Sequence, residues 1–325
     1  MREITYREAL NEALKQAMRR DERIFIAGED VGIWNGCFAV TQGLYDEFGP
    51  ERVRDTPLSE GAIVGIGVGG SAVGMRPVVE IMETDFTAVA FDIIINQAAK
   101  MHYMFGGRIN LPFVLRAANT GGGNGAAQHS QALEALFAHI PGLKVVMPAN
   151  AYDAKGLLLS AIDDPNPVIF LEHSMLYSLK DDVPEEEYRI PFGQAKIRRE
   201  GTDLTMVGWS FAMPHLEKAA ASLADRGISA EVIDLRTLSP WDKETVLASV
   251  KKTHRLLVAQ EAVKQGGFGS EIIATVAQEA LEYLDAPARL LASPFAPVPF
   301  SPVLVDAFYI NKASIIAAAE ELVKY

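Results

Sequence analysis

Hydrophobic residues along the chain recur at helical spacing in some segments and in short continuous runs in others. Near the N-terminus, Thr5 is followed three residues later by Glu8, which is the pattern of a capping box, and apolar residues then recur every three or four positions over 9–17. The next run, 23–27, is short and apolar. The pattern therefore predicts a first helix followed by a buried strand.

The same alternation continues as far as residue 173. Apolar strand-like runs and segments with helical spacing follow one another, with strands predicted at 78–82, 111–116, 143–148 and 168–173 and helices at 88–104 and 153–164. Continuous apolar strands separated by helices are typical of a parallel sheet that is covered on both faces. We therefore expect a doubly wound α/β domain in this part of the chain.

Residues 180–191 interrupt the alternation. This stretch, KDDVPEEEYRIP, holds five carboxylates and two prolines and has no apolar periodicity, as expected of a linker. The strand–helix pattern then resumes and ends in a last predicted strand at 288–293. The sequence thus predicts a domain over 1–185 and a second, smaller α/β domain over 190–325.

The composition narrows the functional classes. The chain has 325 residues, enough for two domains, and its net charge of -12 argues against nucleic-acid binding, which needs clustered Lys and Arg. The N-terminus lacks the apolar core of a secretory signal, and the uncharged stretch Gly61–Met75 is too short and glycine-rich for a membrane span. We expect a cytoplasmic protein with neither nucleic acid nor membrane as a partner.

Cys37 is the only cysteine in the chain. One thiol can form neither a disulfide framework nor a metal cluster within the chain. Because Cys37 stands among glycine and apolar residues rather than beside cationic ones, we expect a buried, unreactive side chain.

The string GIGVGG at Gly65–Gly70 matches a dinucleotide-binding fingerprint and raises the alternative of a nicotinamide enzyme. That fingerprint needs a strand directly before it and an acidic residue about 20 positions later, whereas 56–64 is not strand-like and Glu80 comes too early. We predict instead a closely packed helix with Ser59 as its N-cap and Glu60 in its first turn. Glu60 there either interacts with the helix dipole or takes part in chemistry.

A second glycine-rich segment, GGGNGAAQHSQ, spans 121–131. We expect a loop that runs into a helix and brings backbone N–H groups close to a ligand, although the lysine of a phosphate-binding loop is absent. His129 would lie at the start of that helix. It is either a site residue or a surface cap, and the residues alone leave both interpretations open.

Four long segments, 55–82, 126–149, 153–173 and 231–242, together resemble the beta subunits of pyruvate, branched-chain 2-oxo acid and acetoin dehydrogenase complexes. The resemblance covers nearly the whole chain. It implies a transketolase-type pyrimidine-binding domain, built on a doubly wound parallel sheet, followed by a transketolase C-terminal domain.

The resemblance also implies partners and cofactors. Two alpha and two beta subunits would assemble, and the alpha subunit would carry the GDG motif that binds Mg²⁺ and the diphosphate of thiamine diphosphate. No GDG occurs in this sequence, as a half-site predicts. The expected reaction is decarboxylation of a 2-oxo acid, pyruvate first, with acyl transfer to the lipoyl group of a dihydrolipoyl acyltransferase. Acetoin and branched-chain 2-oxo acids stay open as alternative substrates.

Three site residues follow from the resemblance. Glu60 matches the glutamate that hydrogen-bonds N1′ of the cofactor's aminopyrimidine. Phe86 matches an aromatic residue that stacks on the pyrimidine ring, although a core phenylalanine is the plainer alternative. His129 matches a histidine close to the substrate, which favours function over a surface cap. An intact Glu60 also argues against a noncatalytic paralogue.

A potassium site is the last implied feature. The family builds it mostly from backbone oxygens of residues that match Phe113, Ala161, Ile162, Asp164 and Asn166. Because backbone ligands leave little trace in side-chain identity, the string DPNP is equally consistent with an ordinary turn.

Overall fold

The computed structural model describes residues 1–123 and 125–325, and they form two compact units. The first unit comprises residues 1–120 and 136–192, and the second comprises 121–135 and 193–325. The segment 121–135 thus has its contacts in the second unit, although it lies within the range expected for the first domain. The ranges 1–185 and 190–325 stay a prediction for two independently folding domains.

Strands and helices alternate as far as residue 183. In chain order they are β1 (Arg2–Thr5), α1 (Tyr6–Arg20), β2 (Ile24–Gly28), α2 (Leu44–Phe48), β3 (Val53–Asp55), α3 (Glu60–Ala72), β4 (Arg76–Glu83), α4 (Met101–Met104), β5 (Val114–Asn119), α5 (Glu134–Ala138), β6 (Lys144–Val146), α6 (Ala151–Asp163), β7 (Val168–His173) and β8 (Lys180–Val183).

The sheet of the first unit is parallel, and its strands lie in the order β6-β7-β5-β4-β2-β3. The chain passes from β2 outward to β3 and then returns to place β4 on the other side of β2. Such a reversal opens a crevice at the carboxyl ends of the two strands, where ligands bind in folds of this kind. The doubly wound sheet that the sequence predicts is therefore confirmed.

The glycines of α3 serve close packing. A Cβ atom built on Gly67 would lie 2.5 Å from the ring of Phe113 and 2.9 Å from Val79. Only glycine lets the helix approach the sheet this closely. GIGVGG therefore lies inside a helix, as predicted, and not in a dinucleotide-binding turn. Ser59 occupies the N-cap position, but no capping hydrogen bond from its side chain is found among the described residues.

The helical stretch predicted over 88–104 is present, but it is not one regular α-helix. The chain forms a 3₁₀ turn at Thr84–Ala90, a π-helical turn at Ile93–Ala98 and only then the short α4. Three consecutive β-branched isoleucines at 93–95 disfavour a regular α-helix, because their side chains crowd the preceding turn.

The second unit is built around another, mainly parallel sheet. Its elements are β9 (Lys196–Arg199), β10 (Leu204–Gly208), α7 (Ala212–Ala224), β11 (Ala230–Asp234), β12 (Thr237–Ser239), α8 (Lys243–Thr253), β13 (Leu256–Val263), α9 (Phe268–Glu279), β14 (Arg289–Ser293), α10 (Pro302–Phe308) and α11 (Lys312–Val323). The strand order is β14-β13-β10-β11-β9, with β9 antiparallel. The predicted closing strand at 288–293 is confirmed by β14.

One stretch, Pro302–Val323, has the length and apolar composition of a membrane span, with a mean hydropathy of 1.3. It is divided into α10 and α11, of 7 and 12 residues. A span needs about 20 helical residues in a row. Neither helix reaches that length, and α11 buries Ile315, Ala319 and Leu322 within the second unit.

Candidate active site

Three candidate site residues lie on elements at the carboxyl edge of the first sheet. Glu29 directly follows β2, Glu60 begins α3 after β3, and Phe86 follows β4. The segment that carries Phe86 lies against the start of α3, since a Cβ atom on Gly61 would be 3.9 Å from the carbonyl oxygen of Val89. The fold thus brings Glu60 and Phe86 to neighbouring elements beside the crevice.

Glu60 is the first residue of α3, as the sequence predicts, and it is half-buried. The backbone N–H groups at a helix N-terminus favour a negative charge. A half-buried carboxyl group at this position remains within reach of a ligand in the crevice. Its role toward a cofactor stays a prediction.

Glu29 is a candidate site residue that was not predicted from the sequence. It is only 8% exposed, and its Oε1 has no hydrogen-bond partner among residues 1–123 and 125–325. Burial raises the pKa of Glu29, and the negative charges of Glu60, Asp30 and Glu80 raise it further. A buried carboxyl group with an unused oxygen beside Glu60 fits a ligand that offers a hydrogen-bond donor. The signal was a carboxylate directly after five buried strand residues.

A second buried charge cluster lies in the middle of the same sheet. Arg116 on β5 donates to Glu80 on β4 at 2.5 Å and to both oxygens of Glu172 on β7 at 2.6 and 2.9 Å. The hydroxyl of Tyr177 donates to Glu172 at 2.8 Å. Here each carboxylate has a cationic partner. We therefore expect this cluster to stabilise the fold and not to bind a ligand.

Phe86 lies in a turn that two hydroxyl groups hold in place. Thr84 Oγ1 donates to Asn119 Oδ1 at 2.7 Å, and Thr87 Oγ1 donates to the carbonyl oxygen of Thr84 at 2.6 Å. Thr84 and Asn119 are fully buried, while Phe86 is half-buried. A partly open aromatic ring on a fixed turn suits stacking against a planar ligand. That role stays a prediction.

The prediction that His129 starts a helix is wrong. His129 is an exposed residue in a bend, and α5 begins only at Glu134. The chain turns tightly instead, because Ala126 has a φ of +60° and a Cβ atom on Gly125 would lie 2.8 Å from the carbonyl oxygen of His129. Asn124, within the glycine-rich segment, lies outside the described residues.

The second unit holds this segment through buried polar groups. Trp209 Nε1 donates to Glu134 Oε1 at 3.3 Å, and the hydroxyl of Tyr309 donates to the carbonyl oxygen of Ser130 at 2.9 Å. Glu134 is 1% exposed, and burial raises its pKa to about 7, with a further contribution from the charge of Glu261. The carboxyl group is therefore largely neutral below neutral pH.

A cavity of about 460 Å³ lies within the second unit beside the same segment. Backbone and side chains of 127 and 130–133 form one wall, and residues 261–263, 293, 295–298 and 308–309 form the others. The segment that carries His129 is thus not packed against protein atoms along this side.

The residues predicted to bind potassium come together in one corner of the first unit. The carbonyl oxygen of Phe113 accepts from Val168 N at 2.9 Å, that of Ala161 accepts from Asp164 N at 3.3 Å, and Asn166 N donates to Asp164 Oδ1 at 2.9 Å. Carbonyl oxygens keep a second lone pair after one hydrogen bond, so the corner fits a hard monovalent cation.

Two cationic side chains already reach the same corner. Arg76 Nη1 donates to the carbonyl oxygen of Ile162 at 2.6 Å, and Lys144 pairs with Asp164. Part of the negative potential that a cation would meet is therefore already neutralised. The potassium site stays a prediction.

The prediction that Cys37 is buried is wrong. The side chain is exposed, because the chain turns at Asn35 and Gly36, both with positive φ, and carries Cys37 outward. Partial burial of the thiol raises its pKa, and the nearby carboxylates Glu80 and Asp30 add to the effect. The expectation of low nucleophilicity at this position is consistent with that direction.

Two family models account for almost the entire chain. Residues 2–180 match the transketolase pyrimidine-binding domain, and residues 193–315 match the transketolase C-terminal domain. A solved chain described as a split gene transketolase in an inactive beta4 tetramer has the same fold, with a TM-score of 0.81 at 24% identity over 99% of this chain and 98% of that one.

Relatives of known activity match over their full length. The beta subunit of acetoin:2,6-dichlorophenolindophenol oxidoreductase from Cupriavidus necator is 48% identical over 99% of this chain and 98% of its own. The pyruvate dehydrogenase E1 beta subunit from Rickettsia felis is 46% identical, and the 2-oxoisovalerate dehydrogenase beta subunit from Bacillus subtilis is 44% identical, each over 99% of both chains. The chain therefore belongs to the transketolase-like family of 2-oxo acid and acetoin dehydrogenase beta subunits.

Proposed function

We propose that this chain is the beta subunit of a thiamine-diphosphate-dependent 2-oxo acid dehydrogenase, with pyruvate as its first candidate substrate. The single observation that carries the proposal is the placement of Glu60 at the N-terminus of α3 beside the buried Glu29 and the crevice between β2 and β4. Full-length similarity to beta subunits acting on pyruvate supports it.

The transketolase-like family implies thiamine diphosphate as the cofactor. When bound, thiamine diphosphate supplies a nucleophilic carbon and an electron sink for decarboxylation. The residues of this chain fit its aminopyrimidine end, because they offer two carboxyl groups and one aromatic ring at a single sheet edge. Glu29 Oε1 has no protein partner in the described parts of the chain and so can accept a hydrogen bond there.

Each residue then has a separate task. Glu60 holds and returns a proton at N1′ of the pyrimidine, which needs a carboxyl group that can be both donor and acceptor. Phe86 provides a flat apolar surface for the ring. His129, exposed on its loop, donates to the substrate's carboxylate or to a developing oxyanion, since imidazole can carry a proton near neutral pH.

The chain contributes half of a shared site. An alpha subunit supplies the Mg²⁺ and diphosphate contacts, because the sequence has no GDG motif. Two copies of each subunit assemble, and the acyl group passes to the lipoyl group of a dihydrolipoyl acyltransferase. We place the protein in the cytoplasm.

We also propose that potassium binds at the corner formed by Phe113, 161–162, Asp164 and Asn166, with backbone carbonyl oxygens as its ligands. The ion would stiffen the turn after α6. A melting temperature that rises in KCl but not in choline chloride of equal ionic strength supports this site. Identical melting curves in the two salts would rule it out.

The mechanism is tested by Glu60→Gln in the complex with the alpha subunit. We expect turnover to fall by at least ~100-fold while assembly is kept, because an amide cannot exchange a proton with N1′. Glu51→Gln is the matched control, since the Glu51 side chain is 90% exposed and its change should leave turnover unaltered. A Glu60→Gln complex with normal turnover would exclude the assigned role.

Acetoin is the second candidate substrate, because the beta subunit of the acetoin oxidoreductase from Cupriavidus necator is 48% identical over 99% of this chain. Initial rates with pyruvate, 2-oxoisovalerate and acetoin at equal concentration discriminate the alternatives. A rate with acetoin alone would replace decarboxylation by cleavage as the reaction.

A further inference from the structure

We infer that Tyr309 is a positioning residue for His129, acting through the carbonyl group of Ser130. The inference rests on the proposed function, in which His129 meets the substrate. The hydroxyl of Tyr309 donates to the Ser130 carbonyl oxygen at 2.9 Å, across 179 positions of sequence. Ser130 follows His129 directly, so this bond fixes the backbone next to the candidate site residue.

The hydrogen bond lies where the loop borders a cavity. The cavity of about 460 Å³ borders residues 127 and 130–133. Atoms that face a void lose the dispersion contacts that normally hold a loop in one conformation. A hydrogen bond to Ser130 therefore carries more of the local order than it would in a packed loop.

The backbone on both sides of Tyr309 is held by hydrogen bonds. Its N–H donates to the carbonyl oxygen of Val305 at 3.2 Å and closes α10. Two residues later Asn311 starts α11 with a capping box, in which Ser314 N donates to Asn311 Oδ1 at 3.0 Å. Because both neighbouring helices are capped, the phenol projects from a fixed point of the second unit.

Two glycines let the loop approach these partners. A Cβ atom on Gly121 would lie 1.7 Å from Glu261 Oε1 and 3.1 Å from the Tyr309 hydroxyl. A Cβ atom on Gly125 would lie 2.8 Å from the carbonyl oxygen of His129. His129 is therefore held between the close turn at Gly125 and the Tyr309 hydrogen bond at Ser130.

The test is Tyr309→Phe, which removes one oxygen atom, compared with Tyr283→Phe, the same change at the end of a 3₁₀ turn elsewhere in the second unit. Deuterium uptake by peptides covering 121–135 is measured on the full chain. We expect faster exchange of these amides in Tyr309→Phe, with an unchanged melting temperature, and wild-type exchange in Tyr283→Phe. Wild-type exchange in both variants would overturn the inference.

The catalytic consequence is read from a double-mutant cycle in the complex with the alpha subunit. We expect Tyr309→Phe to lower kcat about tenfold, the size expected for loss of one hydrogen bond, with the KM for thiamine diphosphate unchanged. In a His129→Ala background the same change should have no further effect, because the residue it positions is gone. An equal loss of kcat in both backgrounds would show that Tyr309 does not act through His129.

The deuterium-uptake measurement and the kinetic measurement distinguish failure of this inference from failure of the proposed function. A wild-type complex that turns over none of the three substrates would refute the function, whereas the exchange of 121–135 still decides whether Tyr309 orders the loop.

Discussion

Two groups of buried carboxylates in the first unit differ in how their charge is balanced. Glu80 and Glu172 share the guanidinium of Arg116 in the centre of the sheet, and Tyr177 adds a hydrogen bond. Glu29, at the carboxyl edge of the same sheet, has no such cation and keeps one oxygen without a partner in the described parts of the chain. Burying a carboxyl group without a cationic partner is unfavourable, and such groups are found most often at functional sites.

The second unit also contains a buried carboxyl group whose charge is not balanced by a cation among the described residues, that of Glu134. Glu134 is as buried as Glu172, but its one side-chain partner is the weak donor Trp209 among residues that the structure describes. The two kinds of carboxylate therefore predict opposite responses to neutralisation. Changes in the Arg116 cluster should destabilise the fold, and neutralising Glu29 or Glu134 should stabilise it.

The largest effect is expected from Arg116→Met. Removing the guanidinium leaves two buried carboxylates without a cation, which should cost about 3–5 kcal/mol of unfolding free energy. Arg19→Met is the matched control, because the Arg19 side chain is 61% exposed and its ion pair with Glu47 should contribute less than about 1 kcal/mol. Urea denaturation followed by circular dichroism measures both. Similar small losses of unfolding free energy in the two variants would mean that the Arg116 cluster does not stabilise the fold.

Glu134→Gln should change how stability depends on pH. The folded-state pKa of about 7 lies above the ordinary value of 4.5, so the stabilisation is complete below pH 4.5 and is lost as the pH rises through 7. The difference corresponds to about 3 kcal/mol. The variant should match the wild type near pH 4.5 and exceed its stability above pH 7.

Exposed Glu271→Gln serves as the control for Glu134, since both lie in the second unit. Urea midpoints at pH 4.5, 6 and 8 give the comparison. A constant offset between Glu134→Gln and the wild type at all three values would mean that Glu134 does not titrate in this window.

The smallest effect is expected from Glu29→Gln. Because burial and neighbouring carboxylates raise the pKa of Glu29, its ionisation costs stability as the pH rises. The neutral amide should therefore stabilise the chain at pH 8 by about 1 kcal/mol, because burial costs a charged carboxylate more than a neutral amide. Turnover in the complex should fall at the same time. A loss of stability like that of Arg116→Met would mean that Glu29 stabilises the fold, as Glu80 and Glu172 do.

The sequence predicts the repeating parts of the fold well. Strands such as Val168–His173 are continuous apolar runs, and the capping box at Thr5 and Glu8 forms as the spacing indicates. The helix start at Glu60 was predicted from Ser59 and the small residues that follow, whereas the role of Glu60 toward a cofactor is implied by the family resemblance. Such local patterns need no knowledge of distant contacts.

Features that depend on distant contacts could not be predicted. Glu80, Arg116 and Glu172 meet only because β4, β5 and β7 are neighbours in the sheet. The loop around His129 is shaped by backbone angles at Ala126 and by Tyr309, which is 179 positions from Ser130. Sequence spacing contains neither kind of information.

Dependence of cofactor binding on the alpha subunit can be measured by calorimetric titration with thiamine diphosphate and Mg²⁺. One titration uses the chain alone, and a second uses the chain copurified with a candidate alpha subunit. Binding is expected only in the mixture, where the pyrimidine site proposed for this chain and the diphosphate site proposed for the alpha subunit are combined. Tight binding to the chain alone would contradict the shared site.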